Sequence, residues 1–162
     1  MLEIRKVRFQ DFPEVVEIEN VCFKKGEAAT EQALKERINN IPDSFFVAEW
    51  DKKLIGFING PVTNQQYITD DLFLHVDKNP STGGHQTILG LAVLPEYRKR
   101  GIGSKLLSHI LKKAKEQKRK TITLTCKEMY IPFYEKNGFQ NAGESESQLG
   151  GVLWYNMIKK IE

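Results

Sequence analysis

The sequence lacks most of the features that mark secreted, membrane-spanning or disulfide-bonded proteins. It has two cysteines, Cys22 and Cys126, whose separation fits neither a disulfide framework nor the spacing of metal ligands. No stretch approaches the roughly 18 apolar residues of a membrane span, and the N-terminal segment MLEIRKVRF has no apolar signal-peptide core. We therefore expect a cytoplasmic protein without a metal site.

Strong charge and unusual composition are also missing. The formal net charge is +3, and hydrophobic and charged residues make up 40% and 28% of the 162 residues, which are ordinary globular values. A charge this small does not by itself indicate a nucleic-acid partner. The length suits one compact domain, so we expect residues 1–162 to fold as a single domain.

The hydrophobic pattern predicts strands alternating with helices. Asp11 is the expected N-cap of a first helix over about 12–22, and Thr30 is that of a second helix, which ends at Asn40 before Pro42. The other predicted elements are a hairpin turning at 51–53, one central strand over 86–94, a helix from about Gly103, a strand over 121–126, a short helix within 130–139, and a closing hairpin of strands over about 139–143 and 151–159. This order indicates an α/β (α+β) fold with a mixed sheet.

Residues 94–107, LPEYRKRGIGSKLL, combine basic side chains, two glycines and the start of an apolar helical pattern. The first amides of a helix lack partners within the helix and lie at the positive end of its dipole, so they attract phosphate. Gly101 and Gly103 leave room for a diphosphate, and Arg98, Lys99 and Arg100 add positive charge. The segment therefore predicts a diphosphate-binding turn.

Two other phosphate-binding loops do not fit this segment. A Walker loop requires Gly-Lys-Ser or Gly-Lys-Thr, whereas serine precedes lysine here, and a dinucleotide fingerprint requires a third glycine where Leu106 stands. A basic solvent-exposed turn before an ordinary amphipathic helix is the simpler alternative.

The stretch LGLAVLPEYRKRGIGSKLL resembles motif A of the GCN5-related N-acetyltransferase (GNAT) superfamily, with Arg98, Gly101 and Gly103 at the signature positions. The order of elements and IPFYEKNGF, which resembles motif B, extend the similarity to nearly the whole chain. The resemblance implies a mixed sheet of about seven strands flanked by about four helices. It also implies that the protein binds acetyl-CoA as acetyl donor and needs no metal.

The resemblance also assigns residues to the cofactor. The backbone of Leu91, Ala92 and Val93 is expected to hydrogen-bond the pantetheine arm, at a gap opened by a bulge near Gly90. The residues expected around the diphosphate are Arg98, Lys99, Arg100, Gly101, Ile102, Gly103 and Ser104.

Acetyl transfer to a primary amine requires that the amine first lose a proton, because its reference pKa is about 10.4. The resemblance places the Tyr134 hydroxyl beside the cofactor sulfur, where it would act as the acid for the departing thiolate and also contact the cofactor. A core aromatic is the alternative for Tyr134. A strand-end amide near Leu91 would stabilise the oxyanion.

Within the superfamily, the chain is most similar to the arylalkylamine (serotonin-type) N-acetyltransferases, through ENVCF, LIGFING, DDLFLHV and LTCKEMYIPFYEKNGF. Those enzymes use two histidines of the central strand, at positions that are Thr87 and Leu89 here. His85 is therefore the candidate base, with His75 or a chain of water molecules as alternatives.

The expected function is acetyl transfer to a small, possibly arylalkyl, amine by direct attack in a ternary complex. A peptide or protein acceptor and a non-catalytic acyl-CoA sensor are the alternatives, and nucleic-acid binding ranks last. The long connection from Val62 to His85 separates the first two, since covering the acceptor site favours a small amine and an open groove favours a peptide. We expect a monomer or homodimer with no membrane partner.

Overall fold

The computed structural model describes residues 1–161, which form four α-helices and nine β-strands. The helices are α1 (Phe12–Cys22), α2 (Glu31–Asn40), α3 (Ile102–Glu116) and α4 (Ile131–Lys136). The strands are β1 (Leu2–Lys6), β2 (Phe45–Trp50), β3 (Lys53–Asn59), β4 (Val62–Thr63), β5 (His85–Ile88), β6 (Gly90–Val93), β7 (Thr121–Cys126), β8 (Gln140–Glu144) and β9 (Tyr155–Lys160). Within this range every helix is too short or too polar to span a bilayer.

The strands form two sheets that meet at interrupted strands. β1, β2, β3 and β6 pair antiparallel in that order, and the second sheet has the order β4-β5-β7-β9-β8 with a parallel β5–β7 pair. β3 leads into β4 across Gly60 and Pro61, and β5 leads into β6 across Leu89. If each of these pairs is counted as one interrupted strand, the nine strands become the seven that the resemblance implied. The α/β fold with mixed strands is confirmed.

The predicted single strand over 86–94 is wrong in one respect, because it is two strands belonging to different sheets. β5 pairs with β7 as far as Ile88 opposite Leu124, whereas β6 pairs with β3. The break falls at Leu89, whose amide donates to the carbonyl of Asn59 at 2.8 Å. An apolar run does not reveal this change of partner, because both halves are buried.

The centre of the first sheet is covered on both faces. Residues 45–48 of β2 are consecutive and all are 0% exposed. Successive residues of a strand point to opposite faces, so helices must cover both sides. α1 packs against β3 and β6, and α3 packs against β2, β3 and β6. The resulting core includes residues from both sheets and from α1, α2 and α3.

The two predicted helix caps differ in outcome. The Thr30 hydroxyl accepts a hydrogen bond from the amide of Ala33 at 3.1 Å, as expected for an N-cap. Asp11 stands at the N-cap position of α1, as predicted, but its side chain does not cap the helix. Its carboxylate accepts instead from the amide of Arg8 at 2.7 Å and pairs with Arg5 at 2.8 Å. A turn of 3-10 helix over Phe9–Asp11 runs directly into α1 and removes the need for a cap there.

The remaining predicted connections are confirmed. The β2–β3 hairpin turns at Asp51 and Lys52, which both have positive φ (48° and 70°), the backbone that a tight two-residue hairpin turn needs. β8 and β9 form the closing hairpin, and residues 64–84 form a long connection whose ordered piece is one turn of 3-10 helix, Asp70–Phe73.

Candidate functional site

The parting of β6 from β7 opens the main cavity of the described chain. Beyond Ile88, β7 continues to pair with β9 while β6 turns to β3, so one edge of β6 has no strand beside it. The cavity has a volume of about 640 Å³, within the range of small-molecule sites. Its walls include residues 88–93 on one side and residues 124–127 on the other. The predicted gap therefore exists, one residue before the expected position at Gly90.

Backbone groups of β6 face this gap. The amide of Leu94 donates to Ile55 of β3 at 2.8 Å, and the direction of backbone groups alternates along an antiparallel strand. Leu91 and Val93 therefore present their backbone groups to the unpaired edge. The Val93 carbonyl already accepts from Arg98 Nε at 2.9 Å and lies 3.5 Å from the Cys22 thiol. The Leu91 amide is the free donor expected of a strand edge that binds an extended ligand.

The start of α3 has the features of an anion-binding turn. Gly101 is the N-cap with φ of 78°, and Lys99 also has a positive φ of 64°, so the chain turns sharply before the helix. The first turn has neither a side-chain cap nor an acidic residue. The amides of Ile102, Gly103 and Ser104 are therefore available to a ligand. A β-carbon on Gly103 would lie 3.4 Å from the Phe133 ring, so the turn is also tightly packed.

The basic side chains of this turn do not all face the cavity. Arg98 and Lys99 line it. The Arg100 guanidinium instead lies over the rings of Trp50 and Tyr97, 5.4 Å from each centroid. Of the residues predicted to bind the cofactor, Arg100 alone is outside the cavity wall that the described residues form, and its guanidinium is engaged by the aromatic pair.

Tyr134 lies in the cavity wall on α4. Its ring packs edge-on against Phe133 and Phe139, with centroids 5.0 and 5.8 Å apart. Among residues 1–161, none forms a hydrogen bond with its hydroxyl. Burial, with smaller contributions from Cys126 and Tyr130, raises the pKa of Tyr134 well above its usual value. The phenol therefore stays protonated and can donate a hydrogen bond into the cavity.

The histidines predicted as bases lie away from the cavity. His85 is at the far end of β5, where its Nδ1 is 2.8 Å from the Thr121 hydroxyl, and burial lowers its pKa. His75 is exposed and pairs with Glu36 at 2.7 Å and Asp77 at 3.0 Å. The structure thus brings neither histidine to Tyr134 or to the β6 edge. His85 is close to β6 in the sequence, but it begins β5, which belongs to the other sheet. Closeness in the sequence therefore did not place it beside the cavity.

The end of the cavity opposite α3 is closed by contacts between distant segments. Glu27, in the segment between α1 and α2, pairs with Lys127 after β7 at 2.8 Å. The same ammonium group lies 5.8 Å from the centroid of the Trp154 ring. Gly150 packs so closely on Glu27 that a β-carbon there would be 2.6 Å from Glu27 Cγ. These contacts bridge the space between residues 23–30 and the β8–β9 connection.

The long connection over residues 64–84 reinforces this closure. Asp70 accepts hydrogen bonds from the Ser147 hydroxyl at 2.6 Å and from the Gln148 amide at 2.9 Å, so it joins this connection to the one between β8 and β9. Phe73, in the same connection, lines the cavity. The Asp70 carboxylate therefore has a structural role, since it joins two connections of the chain.

Neither cysteine has the setting of a nucleophile. Burial raises the pKa of Cys22, and it raises that of Cys126 to about 11, so both remain thiols at neutral pH. Both are free of disulfides. Across residues 1–161, no three His, Cys, Asp or Glu side chains are grouped so as to hold a metal ion.

Sequence reasoning missed two carboxylates of the cavity wall, Glu19 and Glu27. Glu19 falls on the buried stripe of α1 with Val15 and Ile18, and an acidic residue on an apolar stripe was a signal that could have found it. Glu27 had no such signal, because its partner Lys127 is a hundred residues away.

Comparison with known proteins identifies the family. The sequence profile described as the acetyltransferase (GNAT) family matches residues 12–139. Serotonin N-acetyltransferase from Mesocricetus auratus is 32% identical over 108 residues, which cover 65% of this chain and 50% of that protein. The chain thus matches about half the length of this relative. The match confirms the resemblance to the arylalkylamine branch.

Solved structures show that the fold is shared with other proteins. The sequence profile identifies the family. GphF, a GNAT-like decarboxylase in complex with isobutyryl-CoA, has a TM-score of 0.84 at 17% identity, covering 99% of this chain and 100% of its own. Arabidopsis thaliana Naa50 in complex with the bisubstrate analogue CoA-Ac-MVNAL has a TM-score of 0.76 at 21% identity, covering 98% of this chain and 97% of its own. At these identities the likeness concerns the fold alone. Because the profile spans well over half of the sequence, the chain belongs to the acetyltransferase (GNAT) family.

Proposed function

We propose that the protein transfers the acetyl group of acetyl-CoA to the primary amine of a small molecule, by direct attack in a ternary complex. Acetyl-CoA supplies an activated thioester when bound. In the overall reaction the amine nitrogen forms a bond to the acetyl carbon, the carbon–sulfur bond breaks, the nitrogen loses protons and the sulfur gains one. With no activated cysteine in the cavity wall, an acyl-enzyme route has no support from the described residues.

The fit of the cavity to coenzyme A supports the donor half of this proposal. The amides of Ile102, Gly103 and Ser104, with Lys99 beside them, would hold the diphosphate. The free edge of β6 would hold the extended arm, with the Leu91 amide as a donor. Arg100 would contribute backbone and not its guanidinium, which the Trp50 and Tyr97 rings hold.

Tyr134 is proposed as the group that stabilises the leaving sulfur. Its protonated hydroxyl has no partner among the described residues and stands in the cavity wall near Cys126. A phenol with a raised pKa is a poor source of a fully transferred proton but remains a hydrogen-bond donor to a thiolate. The role is therefore donation of a hydrogen bond, with the proton reaching sulfur from the amine or solvent. His85 is not part of this proposal.

The observation that favours a small amine is the closed acceptor end. Glu27 contacts both Lys127 and Gly150, so an extended peptide would find the space between residues 23–30 and the β8–β9 connection already bridged. Phe23, Phe73 and Trp154 line the cavity and suit an apolar or aromatic tail. The hydrogen bonds that Asp70 accepts from Ser147 and Gln148 tie the long connection over residues 64–84 to the β8–β9 connection, which supports a small acceptor over an extended peptide.

The whole chain is proposed to act as one acetyltransferase domain. Its main hydrophobic core draws on both sheets and on α1, α2 and α3, and Ile131, Phe133 and Tyr134 of the α4 region pack against it.

The proposal is tested by mixing purified protein with acetyl-CoA and acceptors while following release of free thiol. The panel contains phenethylamine, tryptamine, spermidine and a short peptide with a free N-terminus. Thiol release with the small amines and not with the peptide is expected. Release with the peptide alone would favour a peptide or protein N-acetyltransferase, and CoA binding without release on any acceptor would favour the non-catalytic sensor.

A further inference from the structure

A buried polar cluster lies behind the acceptor end of the cavity. It consists of Glu19 on α1, Arg37 on α2 and Asn59 at the end of β3, whose exposures are 4%, 2% and 0%. Each residue has a buried polar atom without a partner, namely Glu19 Oε1, Arg37 Nε and Asn59 Nδ2. These are three of the five such side-chain atoms identified in the described chain, so the deficit is concentrated in one place.

The cluster is tied to the segments that form the acceptor end. Arg37 donates to Asn59 Oδ1 at 3.2 Å and to the Phe73 carbonyl at 3.1 Å. Glu19 Oε2 accepts from the Ala29 amide at 2.8 Å, and Glu19 itself forms part of the cavity wall. A β-carbon on Gly90 would lie 3.6 Å from Asn59 Nδ2, so the cluster adjoins the first residue of β6.

Physical chemistry requires an explanation for such unpartnered atoms. A buried polar group left without a hydrogen bond costs about 1–3 kcal/mol, and more when it is charged. Glu19 and Arg37 interact electrostatically but form no direct ion pair, because the guanidinium Nη atoms are engaged by Asn59 and Phe73. Ordered water between them would satisfy Glu19 Oε1 and Arg37 Nε together, and a site with several polar partners is where buried water is found.

We propose that the Glu19 carboxylate, through water held by this cluster, accepts the proton that the acceptor ammonium loses before it attacks the thioester. This inference rests on the proposed function and names the base that it lacks. The ammonium N–H bond breaks and its proton passes to a water molecule, while that water gives a proton to Glu19. The neutral amine then attacks the acetyl carbon, the carbon–sulfur bond breaks, and the nitrogen loses a second proton while the leaving sulfur gains one from the amine or solvent. Glu19 returns its proton to solvent once the product has left.

The surroundings of Glu19 suit this task. Burial raises its pKa above the usual range of glutamate, opposed by the Ala29 amide and by the charge of Arg37. The other ionisable groups near it are Cys22 on its own helix, Arg98 beside that thiol, and Lys24 and Glu27 in the next segment of the cavity wall. A carboxylate with a raised pKa is a better proton acceptor than an ordinary one.

The decisive experiment compares Glu19→Gln with wild type on two matched amines, phenethylamine and its β,β-difluoro analogue. Fluorine lowers the basicity of the second amine, so most of it is already neutral and needs no proton acceptor before attack. We expect Glu19→Gln to lower kcat/KM by about 100-fold on phenethylamine and by roughly tenfold or less on the fluorinated amine. On phenethylamine, the acid limb of wild-type kcat/KM is set by ionisation of Glu19, whereas kcat/KM of the variant should keep rising with pH towards the pKa of the amine itself.

Two readouts do not depend on turnover. The first is a carbon-13 titration of the Glu19 carboxyl in the free protein, which should show a raised pKa. The second is stability: because folding raises the pKa of Glu19, the wild type loses stability as pH rises from the unfolded pKa through the folded one. Glu19→Gln should therefore be more stable than wild type, by a margin that grows over this pH window. Its dissociation constant for CoA should be unchanged.

Glu49→Gln is the matched control, because Glu49 pairs with Arg5 on the first sheet and does not line the cavity. Glu49→Gln should leave kcat/KM unchanged on both amines. Equal loss on both amines with an unchanged pH profile, or full activity of Glu19→Gln, would overturn this inference while the proposed function stands. A wild type that acetylates none of the small amines, including tryptamine and spermidine, would overturn the proposed function itself.

Discussion

The two ends of the cavity are built in different ways. The proposed donor end comes from one continuous stretch, β6 with the turn and first residues of α3, which spans residues 90–104. The proposed acceptor end comes from four separate segments, namely residues 23–30, 64–84, the residues after β7 and the β8–β9 connection. The donor end therefore appears in the sequence as a pattern, whereas the acceptor end exists only in the folded chain.

This difference has a physical origin. A diphosphate is recognised by backbone amides at a helix start. The sequence therefore needs glycines at fixed spacing and no acidic residue in the first turn of the helix. Under the proposed function, an acceptor amine is recognised by side chains whose pairing depends on long-range packing, as with Glu27 and Lys127. Substitutions at the donor end should thus weaken or abolish binding of CoA. Substitutions at the acceptor end should alter the preference among acceptor amines.

The largest effect is expected at the donor end, from Gly103→Glu. The new carboxylate would stand in the first turn of α3, where its charge opposes the diphosphate. At an effective dielectric constant of about 20, two unit charges about 4 Å apart repel by about 4 kcal/mol, so the dissociation constant for CoA should rise about 100-fold or more. Isothermal titration calorimetry measures it.

The control for this variant is Ser108→Glu, which adds the same charge on an exposed position further along α3. It should bind CoA within about twofold of wild type, because a charge beyond the first turn contributes little to binding at the helix start. Unchanged CoA affinity in Gly103→Glu would contradict the proposed diphosphate site.

A smaller loss is expected where the two ends meet, from Tyr134→Phe. Removing the hydroxyl should lower kcat about 100-fold with CoA affinity preserved, since the ring still packs on Phe133 and Phe139. Because burial raises the pKa of Tyr134, wild-type kcat should show no alkaline loss from ionisation of this residue up to about pH 10. Tyr67→Phe, outside the cavity wall, is the control, and equal kcat values for the two variants would remove Tyr134 from the mechanism.

The smallest effect is expected at the acceptor end, from Glu27→Gln. Loss of the ion pair with Lys127 should loosen the bridge and raise KM for phenethylamine up to about fivefold, since a partly exposed pair is worth up to about 1 kcal/mol. CoA affinity should not change. Steady-state kinetics with Glu116→Gln, which removes a surface pair on α3, provide the comparison. A change in CoA binding alone would mean that Glu27 belongs to the donor end.

Much of the fold was predictable because its signals are local. Thr30 capped α2, the hairpin turned at Asp51 and Lys52, and the apolar stripe of α3 was read from its spacing. Asp11 failed as a cap because a preceding 3-10 turn gave its carboxylate other partners. The central strand failed as one strand because burial on both faces looks the same whichever strands lie beside it.

Part of the candidate site was also predictable. The turn at Gly101 and Gly103 followed from residue type and spacing, and the position of Tyr134 followed from the family resemblance. These residues do line one cavity. Arg100 and His85 were named for their charge and chain position, but the rings of Trp50 and Tyr97 hold the first and the far end of β5 holds the second. Glu19 and Glu27 were missed because their roles depend on contacts across the fold.

By itself, the sequence determined the order of strands and helices and the glycine-containing turn at the start of α3, because hydrophobic period and glycine act over a few residues. Only the tertiary structure decided where β6 leaves β7, which side chains close the acceptor end, and that Glu19, Arg37 and Asn59 share one buried cluster. These features depend on which distant segments pack together, and that choice is made by the free energy of the whole core.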